Sequence, residues 1–284
     1  MSLETIEASF HRSDEGRLAA RVGDIAFIAL PTAGDGLCVA YASGLSTPPE
    51  SWRAQDFHGR GRLVEGEAGF RAHVEARAEH FRELQSLGRR DIRMRAETPW
   101  GTAQHSRVYG EGVISHSTAS HGGFHLDRAR NARVDPRWRD AGGWYEEDSQ
   151  WAIVAATFPE LFTTFERGCA EDTLRHSEPD AYEAVFGIVL EPGESRVKDE
   201  RQFKRDHAGD WIIIAAIDSR HAPGLVECVA TQGGDRSSRN ERCFLVPAAE
   251  YEIGPFGFVI DPIRHTEYVG PSDFVGWRRE RDES

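Results

Sequence analysis

Three of the chain's twelve histidines, His116, His121 and His125, fall within the stretch GVISHSTASHGGFHLD at 112–127. Ser115, Ser117, Thr118 and Ser120 lie among them. This density of imidazoles and hydroxyls invites two kinds of chemistry. Neutral imidazoles that converge can coordinate a metal at about 2.1 Å. The spacing H-x4-H-x3-H would put His121 and His125 on one helical face, but Gly122-Gly123 argues against a helix. A loop would have to gather the rings, with Glu146, Glu147 or Asp148 as a further ligand. The pattern assigns no metal ligand, and a divalent metal stays an open cofactor. The second chemistry uses the same residues without metal. A Gly-Gly pair frees backbone N–H groups to surround an anion, so the loop is expected to hold a phosphate or oxyanion. His116 or His121 would then act as acid or base near neutral pH. The expected catalytic set is His116, His121, Asp148 and Ser117. The expected ligand-binding set is Ser120, Gly122, Gly123, His125, Asn131 and Tyr145. The bland alternative is that the hydroxyls only make local turn bonds.

GWYEED at 143–148 supplies the acidic partner in this reading: Trp144 and Tyr145 could stack on a base or sugar, with Glu146, Glu147 and Asp148 behind them. The competing reading makes the three acids a helix start matched to the helix dipole. Asp148 is expected on a buried face with Tyr145 and Trp151, where a carboxylate needs a partner such as His121 or Arg107. A ββα metal-dependent nuclease, built on a histidine, Asn131 and an acidic helix, is a further candidate that the overall charge disfavours. The loop VATQGGDRSSRNE offers Arg236, Arg239 and Arg242 to a phosphate or a partner, or is an exposed hairpin tip.

The elements that must position these groups follow from pattern. GRLAARV alternates, and DIAFIAL and GLCVAYA are apolar runs separated by the turn-rich PTAGDG, so residues 1–45 read as β structure. Residues 46–66, with Pro48-Pro49, read as an irregular connection. Phe70, Val74, Phe81 and Leu84 recur at helical spacing, which predicts a helix over 67–86 stopped by Gly88. DIRMRAE and AQHSRVYGEGVISHST predict strands around a TPWG turn, with Trp100 packing on the meander. Asp135-Pro136 predicts the start of a short helix. A second is predicted from GWYEED to Phe158, ended by Pro159. Ser177 and Ser195 are expected to cap two more, and WIIIAAI, LVECVAT, CFLVP and FGFVIDP read as strands. The fold class expected is α+β, with antiparallel sheets from the first and last thirds and a helical middle. The expected divisions are 1–95, 96–190 and 191–284, the last two joined in one alternative.

The strings TPWGTAQ, STASHGGFHL and GWYEED resemble an uncharacterised domain family found mostly in bacterial plasmid and mobile-element proteins. The resemblance covers roughly 95–265, and the tail from VATQGGDRSSRNERCFLVP onward is similar to what often follows that domain. It implies an accessory, mobile-element context and carries no activity or residue role.

Charge and composition bound the partners. The formal net charge is −13, from 47 acidic and 34 basic residues, which disfavours non-specific binding to nucleic acid or membrane surfaces. The longest apolar run, WIIIAAI at 211–217, is strand-sized, and MSLETIEASF lacks the pattern of a secretory signal. Cys38, Cys169, Cys228 and Cys243 are scattered, which fits reduced thiols in a cytoplasm. Two functions follow as expectations. One is an enzyme or small-ligand binder that takes a phosphate- or acyl-bearing group in the 112–127 loop. The other is a non-enzymatic acidic protein that binds or inhibits a host or defence protein, including by imitating nucleic acid.

Overall fold

The computed structural model describes residues 6–274 except 33 and 35. The chain forms two compact units, 1–188 and 189–284. The fold is α+β, as the sequence predicts: antiparallel sheets in the N- and C-terminal parts and helices in the middle.

The first unit opens with β1 (Ala8–Arg12), β2 (Leu18–Val22), β3 (Ile25–Pro31), β4 (Gly36–Ser43) and β5 (Gly59–Glu65), which pair in that order as an antiparallel sheet. Period-2 alternation gives this sheet two apolar faces. On one, Val22, Phe27 and Val39 meet Phe70, Val74 and Ala78 of α1 (Gly66–Ser86). On the other, Ala19, Ile28 and Ala40 are covered by Trp52 and Phe57, which the irregular stretch between β4 and β5 supplies. Trp52 is fully buried, and its indole N–H donates to Thr47 O at 3.1 Å. Each large side chain so buried contributes about 1.5–3 kcal/mol.

The second sheet is made from β6 (Arg90–Ile92), β9 (His105–Gly110), β10 (Val113–Ser117), β11 (Gly122–Leu126) and β12 (Trp144–Glu146). Its spatial order is β12-β11-β10-β9-β6, all antiparallel. Between β6 and β9 runs the small hairpin of β7 (Glu97–Thr98) and β8 (Gly101–Thr102), whose turn presents Trp100. Helices follow: α2 (Arg128–Asn131), α3 (Trp151–Thr157), α4 (Thr164–Ser177) and α5 (Pro179–Phe186).

Several predicted helices are placed differently. GWYEED does not begin one: Trp144–Glu146 is a strand, and α3 begins at Trp151. Gly143 sits at φ 75°, a conformation open to glycine, and a Cβ there would lie 2.6 Å from Leu126 O. The chain therefore returns against β11 instead of coiling, and the three acids end a strand. Asp135 caps only a turn, while Asp127 caps α2 by accepting from Arg130 N. Ser177 does not cap α5; its hydroxyl donates to Thr173 O in the last turn of α4. Helix α4 itself lies outside the predicted elements. Its signal was the string Thr163-Thr164-Phe165-Glu166, a reciprocal capping box in the structure.

The second unit holds α6 (Arg196–Asp206), capped by Ser195 as predicted. It also holds a sheet of β13 (Trp211–Asp218), β14 (Leu225–Gln232), β15 (Glu241–Pro247) and β16 (Thr266–Glu267). FGFVIDP contributes two isolated bridges, Ile212 to Val259 and Gly254 to Gly257, rather than a strand. The core gathers Val226, Cys228, Phe244 and Val246. Burial pushes the Cys228 thiol up to about 12. Glu227 is fully buried, yet its carboxylate accepts from Ser272 Oγ, Asp273 N and Cys243 Sγ. A buried carboxylate so satisfied is a structural brace. All four cysteines are free thiols, and no helix of the described residues is long and apolar enough to cross a membrane.

Candidate functional site

The second sheet carries most of the 112–127 residues, and its pleat sorts them. Adjacent strand residues point to opposite faces, so His116 and Ser117 cannot work as a pair. The register places His116 opposite Ser106 and Gly123, and Ser117 opposite His105 and Gly122.

On the first face the imidazoles are packed. His116 is 4% exposed, and its Nδ1 hydrogen-bonds Ser106 Oγ at 2.8 Å. Trp144 stacks against His125 with ring centroids 4.4 Å apart and against His116 at 5.7 Å. Trp100 closes edge-on over Trp144 at 5.8 Å, packing on the meander as the sequence predicts. Gly123 makes this cover possible, since a Cβ there would fall 2.4 Å from the Trp100 ring and 2.3 Å from Tyr145 O. Burial pushes His116 below the usual histidine range, and nearby His125 adds to the effect. Burial also lowers His125, against an opposing pull from Asp127. These are neutral rings within an aromatic cluster.

The opposite face presents hydroxyls. Tyr109, Ser115 and Ser117 line two adjoining cavities. One, of about 280 Å³, is completed by His116, Gly123, Phe124, Glu147, Trp151, Phe162 and Glu166. The other, of about 260 Å³, reaches His105 and Arg107. Arg107 is already held by Asp91, at 2.5 Å from Oδ1, and is therefore no partner for Asp148. Behind this face Arg89 makes a two-pronged bond to Glu166, at 2.8 and 2.5 Å, and lies 4.0 Å over the Tyr109 ring. Burial works to raise the Glu166 carboxyl, but Arg89 and the Thr163 N–H outweigh it and hold it low.

The turn joining β10 to β11 gathers a different set. Thr118 N–H and its hydroxyl both donate to His121 O, at 2.7 and 2.8 Å, and His121 N–H donates back to Thr118 Oγ1 at 3.2 Å. The Thr118 hydroxyl is thus spent on closing the turn, with Ser120 exposed at its tip. Gly122 and Gly123 run in strand β11 with no positive φ, so they form no nest for an anion. Their missing side chains serve close approach: a Cβ on Gly122 would meet Glu147 Oε2 at 2.6 Å and His116 O at 2.7 Å. What the turn does is set His121 beside the end of β12. His121, Glu146 and Asp148 each offer a ligand atom, and these atoms all lie within 4.8 Å of one another. Glu146 Oε2 accepts from Asp148 N–H at 2.8 Å, which locks the acidic turn. Among the described residues, Glu146 Oε1 is buried with no hydrogen-bond partner. A buried carboxylate oxygen left without a donor is costly and asks for a proton or a cation.

Residues 93–208 match a family described as a domain of unknown function, DUF7007. The match covers less than half of the chain. Searches of curated proteins and of solved structures return no match.

The expected catalytic set is therefore divided. His121 and Asp148 come together, with Glu146 rather than with His116 or Ser117. His116, in strand β10, is buried and bonded to Ser106, at the border of the hydroxyl-lined cavity. Asp148 is exposed instead of sharing the buried face of Tyr145 and Trp151, because β12 ends before it. Asn131 and Tyr145 are braces: Tyr145, fully buried, donates to Asn131 Oδ1 at 2.6 Å, and Asn131 Nδ2 donates to Asp140 O at 2.7 Å. Together they tie down the loop before β12, which removes Asn131 from the nuclease reading. Sequence reasoning passed over Ser115, Tyr109 and Glu166, which share one cavity; strand alternation through HSRVYG and VISHS was the signal for the first two.

Proposed function

We propose that the matched region is a small-ligand-binding domain, centred on a divalent cation held by His121, Glu146 and Asp148. The observation that carries this reading is the convergence of one imidazole and two carboxylates beside a buried, partnerless carboxylate oxygen. One nitrogen and two oxygen donors suit Mn²⁺ or Zn²⁺ and leave coordination positions open. An open position binds and polarises a phosphoryl or acyl oxygen, which keeps the phosphate- or acyl-bearing ligand class expected from the sequence. The hydroxyl-lined cavity that begins at the next residue, Glu147, offers Ser117, Ser115 and Tyr109 to the rest of the ligand. His116 is not among the proposed ligands of the ion, although it lines the adjoining cavity. The motif resemblance to plasmid and mobile-element proteins supports an accessory role for such a binder.

Equilibrium dialysis against Mn²⁺ and Zn²⁺ tests the reading. The wild-type chain is expected to retain one ion, and His121→Ala and Asp148→Asn to weaken retention by about tenfold or more, or about 1.4 kcal/mol. Inorganic phosphate should then raise the melting temperature only when the ion is present. Failure of the wild-type chain to retain either ion, or equal retention by His121→Ala, would overturn it.

A further inference from the structure

A larger cavity lies elsewhere in the first unit. It measures about 580 Å³, within the range of small-molecule sites. Its floor is the α1-side face of the first sheet, where Ile25, Phe27 and Tyr41 lie together because Phe27 and Tyr41 are register partners. Tyr41 is 46% exposed and lies over Gly59, whose missing Cβ leaves room for the ring. One wall is α1, with His73 and Arg77 a turn apart. The other is α4, where Phe165, Cys169, Asp172 and His176 follow at helical spacing. Arg62 of β5 completes the rim.

Charge decides what this cavity takes. Arg62, Arg77, His73 and His176 face it against one carboxylate, Asp172, and Asp172 accepts from Arg175 at 2.7 Å. Arg77 is half-buried, and its guanidinium rests on the Phe165 ring, 4.5 Å from the centroid. Among the described residues it makes no hydrogen bond or ion pair. Arg62 has none either. Burial pulls Arg77 below the usual arginine range, and the same burial, with Arg77 and Arg62 nearby, lowers His73. A half-buried guanidinium without a carboxylate is uncommon in a folded chain, and more so in one of net charge −13. The fork that a carboxylate would fill is left open over an apolar floor.

From this juxtaposition we infer a second ligand site: the α1/α4 cavity binds a small organic acid, its carboxylate on Arg77 and Arg62 and its apolar body on Phe27, Tyr41 and Phe165. None of these residues belongs to the cation site proposed above, so either reading can fail without the other. Medium-chain and aryl carboxylates share the required chemistry, and calorimetry with decanoate and 2-naphthoate separates them. At least one acid is expected to bind once per chain, with decanol, the neutral counterpart, bound about tenfold more weakly or worse. Arg62→Ala, an exposed position that leaves the core untouched, and Arg77→Met should each weaken the acid about tenfold. Asp148→Asn should leave it unchanged. The inference is overturned if neither acid binds below about 1 mM, if decanol binds as tightly as decanoate, or if Arg62→Ala and Arg77→Met both bind as wild type does.

Discussion

The edge of the second sheet and the α1/α4 cavity are opposite in charge and in assembly. The edge is acidic and open: His121 and Asp148 are exposed, and all its groups come from residues 121–148. The cavity is cationic and half-dry, and its groups come from five elements between Ile25 and His176. Local turns and one strand pairing suffice to build the first. The second exists only once a whole sheet and two distant helices have packed. The difference teaches where each can be damaged. Surface substitutions at the edge are expected to remove the proposed ion binding without touching the fold, whereas the cavity shares its walls with the core.

Arg89→Met is expected to have the largest effect, because the two regions rest on one foundation. Arg89 is 7% exposed on its side chain and pairs with Glu166, which closes the capping box of α4 and lines the hydroxyl cavity. Removing one partner of a buried pair costs about 3–5 kcal/mol, read as a lowered denaturant midpoint. A loss below about 1 kcal/mol would show the regions to be independent. Gly123→Ala should come next, at about 1–3 kcal/mol, since backbone and the Trp100 ring both occupy the space a Cβ needs. This substitution should spare organic-acid binding.

The third prediction is pH dependence. His73, His80, His116 and His125 are all pushed below the usual 6.5 by burial before any other cause. On unfolding they regain the ordinary value, so the unfolded chain takes up protons first as pH falls. Stability is therefore complete above about pH 6.5 and declines below it towards the folded values. Melting temperatures across that interval test this, and His116→Asn and His80→Asn compare the sheet with α1. A melting temperature that rises on acidification below 6.5 would contradict the assignment. Asp148→Asn should change stability least, by less than about 0.5 kcal/mol, while ion retention falls.

The legible parts were those whose signals are local. The helix at α1, strands β2 to β4 of the first sheet and the Ser195 cap follow from periodicity and capping alone, whereas β5 (Gly59–Glu65) lies in the 46–66 stretch that reads as an irregular connection and pairs with β4 in the structure. The gathering of His121 with the acids of GWYEED was legible because a hairpin and one more strand bring them together. The role of His116 was not, since its neighbour in sequence, Ser117, is on the other face once the segment is a strand. GWYEED read as a helix start because acids in a first turn and acids after a strand look alike. The deciding contact, Gly143 against Leu126 O, is seventeen residues away by direct count. The α1/α4 cavity left no trace in any single stretch: Arg77 looks like an ordinary surface arginine of a polar helix until Phe165 arrives beneath it.

The tie from Arg89 to Glu166 also crosses the boundary of the family match. The family match begins at residue 93. Four residues earlier stands Arg89, and with it β6, which pairs with β9. Further back is His80, whose Nδ1 meets Thr163 Oγ1 at 2.8 Å in the capping box of α4. A gene fragment cut at the edge of the match would inherit Glu166 without its counter-ion, Tyr109 without its cover and α4 without its anchor. The contacts that hold α4 thus reach beyond the family match, back to Arg89 and into α1.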